Sequence, residues 1–78
     1  MGDQKYEELP VDRVVTVEEA VDFKKRTASR VTAKEWRFQG NLGSGTHCTT
    51  VANQTPPQGA GEVVIAMDNG AFTMWLYY

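Results

Sequence analysis

The run Gly40-Asn41-Leu42-Gly43-Ser44-Gly45-Thr46 has most of the spacing of a phosphate-binding loop. Directly behind it stand His47 and Cys48, the only histidine and the only cysteine in the chain. A phosphate loop needs backbone N–H groups aimed at the anion, a lysine for the outer charge, and a helix opening behind it. Here Thr46 occupies the lysine position, and the following residues, "HCTTVA", read as a strand. The nucleotide-binding fold built around such a loop also far exceeds 78 residues. Gly40, Gly43 and Gly45 are therefore expected to form a turn or bulge between two strands.

On a strand, His47 and Cys48 point to opposite faces, so they cannot chelate one metal or act as a nucleophile and its base. Cys48 is expected as a small buried apolar residue and His47 as surface-facing or hydrogen-bonded. One histidine and one cysteine exclude a four-ligand Cys/His zinc site within one chain; a metal shared between copies stays open. No acid and base stand at a meaningful spacing and no cofactor loop is convincing, so the chain reads as non-enzymatic, without cofactor or metal.

The elements that would position any site follow from the rest of the sequence. Seventy-eight residues make one small domain of limited stability. Nine valines, three leucines, three phenylalanines and one isoleucine are few, but a net charge of −2 keeps the composition out of the disordered class. A single cysteine excludes an internal disulfide. The start, "MGDQKYEELP", has no apolar run; Met1-Gly2 lacks the Ser or Thr that acylation needs at position six, where Tyr6 stands. Asn53-Gln54-Thr55 is formally a glycosylation acceptor, but without an export signal it would not meet the enzyme. The expectation is a cytoplasmic protein in a reducing compartment, without a membrane partner.

Residues 3–15 begin acidic and contain Pro10, which suits an extended arm or an edge strand. Thr16 and Glu19 have the spacing of a capping box and open a helix expected over about 17–31. Its face is expected to carry Val17, Ala20, Val21, Ala28 and Val31, with Phe23 at the flank and Lys24 interrupting. "AKEWRFQGN" alternates as a strand, with Trp36 and Phe38 on one side and Glu35, Arg37 and Gln39 on the other; "THCTTVA" reads as a weaker strand. "NQTPPQGAG" is a loop. Asn69-Gly70 is the favoured pair for a two-residue hairpin turn. Folding about it sets Met67 against Phe72, Ile65 against Met74 and Val63 against Leu76, all apolar and on one face. The fold class is α+β: one helix (about 17–31) on an antiparallel sheet of three to four strands, ending in that hairpin.

Two surfaces then compete for function. Residues 24–37 carry a net +5 through Lys24, Lys25, Arg26, Arg30, Lys34 and Arg37, beside Trp36 and Phe38; residues 1–22 carry −5. Such a segment could meet nucleic acid through phosphate contacts and stacking. Yet acids early and bases late in a helix are what its dipole favours, and the chain as a whole is acidic, with a pI near 5.2. The second surface is the hairpin face opposite the helix, with Trp75, Tyr77 and Val64, joined by Trp36. Trp and Tyr are the residues most enriched in binding hot spots.

The reading is a small protein-binding module, an inhibitor, adaptor or small component of a larger assembly, of a size and class common among phage accessory proteins. Its expected partner is a larger protein, and an edge strand could also extend a partner's sheet. The alternatives are nucleic-acid binding through the basic segment and self-assembly as a structural homo-oligomer.

Overall fold

The computed structural model describes residues 8–30, 33–68 and 70–78. Val31 and Asn69, as well as the first seven residues, lie outside that set. In chain order the elements are α1 (Val17–Ala28), β1 (Trp36–Leu42), α2 (Gly45–Ala52), β2 (Val63–Asp68) and β3 (Ala71–Tyr77). The three strands form one antiparallel sheet in the order β1-β3-β2. Both helices pack on the β1–β3 part of one face and on each other, so the fold is α+β.

α1 starts where its caps dictate. Thr16 Oγ1 accepts from the Glu19 backbone N–H at 3.0 Å, and Glu19 Oε1 accepts from the Thr16 N–H at 2.9 Å. Arg13 clamps the same carboxylate at 3.0 Å. The hydrogen bond from Arg13, and then the one from Thr16, pull the Glu19 carboxyl down to about 2. Thr16→Ala should cost about 1 kcal/mol, read as a lower urea midpoint with an unchanged denaturant slope. The helix ends at Ala28 with Ser29 as its C-cap, three residues before the expected limit. Its buried residues are Ala20, Phe23, Lys24 and Thr27, while Val17, Val21 and Ala28 are half-buried. The buried stripe is thus rotated from the valine face toward Phe23 and Lys24, because Lys24 has a bonding site inside.

The stretch "THCTTVA" belongs to a helix, not a strand. Ser44 caps α2 by accepting from the His47 N–H at 3.2 Å. Thr49 and Thr50, which disfavour helix through their β-branched side chains, return their hydroxyls to the Gly45 and Thr46 carbonyls at 3.1 Å each. Cys48 and Val51, three apart, are the buried pair that ties α2 to the core.

The hairpin register is the one the sequence implies: Met67 opposite Phe72, Ile65 opposite Met74, Val63 opposite Leu76, closing at Asp68 and Ala71. β1 pairs with β3, matching Trp36 to Tyr77, Phe38 to Trp75 and Leu42 to Phe72. Between Phe38 and Gly40 the register shifts by one residue. This bulge inserts Gln39, fully buried, which donates to the Tyr78 hydroxyl at 2.9 Å. It also resets the alternation, so that Leu42 enters the core and Asn41 turns to the opposite face. The core comprises Val15, Ala20, Leu42, Cys48, Val51, Met74, Leu76 and Tyr78. The arm reaches it along β1, where Val14 bridges Asn41 in parallel and the Val15 N–H donates to the Asn41 carbonyl at 2.8 Å.

Candidate protein-binding face

The sheet face away from the helices is built of three rows running across the strands. Trp36 of β1 stands against Tyr77 of β3, ring centroids 5.3 Å apart. In the next row come Phe38, Trp75 and Val64, with the two rings 6.2 Å apart. The third holds Asn41, Thr73 and Ala66, where the Thr73 hydroxyl donates to Asn41 Oδ1 at 2.6 Å. Tilted cross-strand aromatic pairs of this kind order each other's rings and so present a preset surface.

The four residues picked out in the sequence, Trp36, Val64, Trp75 and Tyr77, therefore lie on one face. Trp75 and Tyr77 are half-buried by their neighbours, while Trp36 and Val64 keep 48% and 47% of their surface. Phe38 completes the cluster. Its membership follows from the alternation that pairs it with Trp36, but its place beside Trp75 depends on β1 joining β3, which the local pattern does not specify.

One end of this face carries charge. Lys34 Nζ lies 2.8 Å from Glu62 Oε2 and 5.3 Å from the centre of the Tyr77 ring. The hydrogen bond from Lys34 holds the Glu62 carboxyl below the usual carboxylate range.

The basic residues of 24–37 do not combine as their order in the chain suggests. Lys24 is fully buried, its ammonium donating to the carbonyls of Gln54, Ala52 and Val51 at 2.6, 3.1 and 3.3 Å. It has no surface to offer a phosphate. The Arg37 side chain is 9% exposed, paired with Glu35 at 2.8 Å and stacked over Tyr78 on the core side. Arg26 is paired with Asp22 at 2.8 Å, and Lys34 with Glu62. Lys25 and Arg30 are exposed.

The glycine-rich stretch is likewise divided. Gly40 lies inside β1 at the bulge, Gly43 and Ser44 make the short connection, and Gly45 opens α2. A helix does follow the glycines, which corrects the strand expected there, but no lysine stands at its start. His47 and Cys48 still diverge, now because neighbours on a helix point about 100° apart: Cys48 is buried and His47 exposed. Burial pushes the Cys48 thiol up, away from the reactive thiolate. Among the described residues, no three His, Cys, Asp or Glu side chains gather as a metal site, and no helix is long and apolar enough to cross a membrane.

Compared with protein-family models, curated proteins and solved structures, the chain matches none.

Proposed function

We propose that this protein is a small binding module that docks on a larger protein, as an inhibitor, an adaptor or a component of an assembly, through the aromatic face of its sheet. The observation that supports this reading is the cluster of Trp36, Phe38, Trp75 and Tyr77 with Val64 on the side of the sheet opposite the helices. Aromatic side chains lose little rotamer freedom on contact and bury large areas, so a preset aromatic group is a natural anchor. The Lys34–Glu62 pair at its margin supplies a polar rim. The single thiol, buried at Cys48, suits a reducing compartment such as the cytoplasm.

The test is affinity capture from lysate with and without nuclease treatment, comparing wild type with Trp36→Ala and with Trp75→Ala. A defined protein retained by wild type and depleted at least tenfold by both substitutions, with the circular dichroism spectrum kept, is the expected result. Capture that disappears with nuclease, or with Lys25→Glu and Arg30→Glu but not with the tryptophan variants, would replace this reading with nucleic-acid binding.

A further inference from the structure

The two edges of the sheet are treated differently. β1 is guarded: the bulge at Gln39 interrupts its ladder and the arm bridges it at Asn41. β2 has neither device. Its register with β3 is continuous from Val63 to Asp68, and the strand, "VVIAMD", contains no lysine, proline or glycine. Proteins usually blunt exposed edges with lysine, proline or bulges. β2 also lies beyond the cover of the helices, so Ile65 and Met67, which share the face of the buried Met74 and Leu76, remain 45% and 64% exposed. Among the described residues nothing pairs with its outer side.

The direction of the backbone groups follows from the hairpin. The Tyr77 N–H donates to the Glu62 carbonyl at 3.0 Å, so Glu62 faces β3. By alternation Val64 and Ala66 face β3 too, while Val63, Ile65 and Met67 direct their N–H and C=O groups to the free edge.

We infer that β2 pairs antiparallel with β2 of a second copy about a two-fold axis at Ile65, making one continuous six-stranded sheet. This register sets Ile65 against Ile65 and Val63 against Met67 of the other copy, matching every outward group with an outward group in about six backbone hydrogen bonds. On the aromatic side Val64 meets Ala66. Asp68 comes opposite Glu62 of the second copy, whose charge is already balanced by Lys34 at 2.8 Å. Shifting the two-fold by one residue either way leaves about four of these hydrogen bonds among Val63, Ile65 and Met67, so the strand is most self-complementary about Ile65. The inference concerns the edge, not the aromatic face, and stands without the binding reading above.

A pair of six-residue strands buries much less than the roughly 1,600 Å² of a standard interface, so the dimer is expected on the order of 100 μM. Sedimentation equilibrium from roughly 10 μM to 1 mM should show mass rising from monomer toward dimer. Ile65→Lys and Ile65→Glu should each weaken self-association at least tenfold, because the two-fold sets like charges face to face. An equimolar mixture of the two should recover association at low salt. Independently of any variant, amide protection at Val63, Ile65 and Met67 should rise with wild-type concentration while that at Val64 and Ala66 stays constant. A wild-type monomer at every concentration would overturn the inference and leave the edge to a strand of another protein. A dimer indifferent to charge at 65, a mixture that does not recover, or unchanged protection at the three outward amides would overturn it as well.

Discussion

Gly40→Ala should remove about 2–5 kcal/mol of stability, against the roughly 5–15 kcal/mol typical of a whole domain. Two costs combine. Gly40 has φ +100°, a conformation that residues with a Cβ rarely adopt, at a cost of about 1–2 kcal/mol. A Cβ there would also stand 2.9 Å from Val15 Cγ2 and 3.3 Å from Leu9 Cδ1, and Val15 is itself core. Relieving that crowding adds about 1–3 kcal/mol. The damage should spread beyond one contact, because the bulge at Gly40 allows Leu42 to face the core and Val15 to bond Asn41. Gly45→Ala is the control: its Cβ would meet nothing within 4 Å and the position opens a helix, so the change should be neutral or slightly stabilising. Urea denaturation of the two variants decides the matter. Equal losses would mean that the bulge tolerates a side chain and that its geometry is not what the fold depends on.

Lys24→Met should cost about 2 kcal/mol at pH 7, since methionine fills the space but cannot replace the charged donor to the Gln54 carbonyl. The pH dependence distinguishes this lysine from one stabilised by a surface partner. Burial lowers its pKa from 10.5 to about 8, against a weaker opposing pull from Glu62. Between those values the unfolded chain holds more protons than the folded one, so stability from this group rises as pH increases from about 8 and levels off near 10.5. The gap between wild type and Lys24→Met should therefore widen, by on the order of 2 kcal/mol at pH 10. Ionisation of the groups that the two proteins share largely cancels in the difference. Urea midpoints at pH 7, 8, 9 and 10 supply the test, and a constant gap would show that the folded ammonium ionises as freely as the unfolded one.

Those two positions also mark where the sequence stops being legible. The hairpin is legible because its turn pair and its alternation agree over a dozen residues, and α1 because Thr16 and Glu19 state its start. α2 is not, since Thr49, Thr50 and Val51 carry strand propensity, and what overrides it is a cap at Ser44 together with burial of Cys48 and Val51. The Ser44 cap and the spacing of that pair were the available signals. Lys24 looks like a flaw in a helix face because its acceptors lie 27 to 30 residues away. The run of positive charge from 24 to 37 reads as a patch only in one dimension; in three, two of its six members turn inward. At the aromatic face, alternation tells which side Trp36 and Trp75 occupy, but strand order, set by long-range pairing, brings Phe38 and Trp75 together. For β2 the same alternation assigned Ile65 and Met67 to the helix side correctly, yet could not show that the helices stop short of them.

The order β1-β3-β2 has a consequence for how the molecule is made. The strand in the middle of the sheet is the last of the three to be synthesised, and β1, both helices and β2 all precede it. Until residues 71–77 emerge, β1 has no ladder to join and Leu42, Cys48 and Val51 have no Met74 or Leu76 to pack against. The nascent chain must carry its valines and aromatics without a sheet until the final strand arrives, and then close as one cooperative unit. This sheet therefore cannot form strand by strand from its amino end.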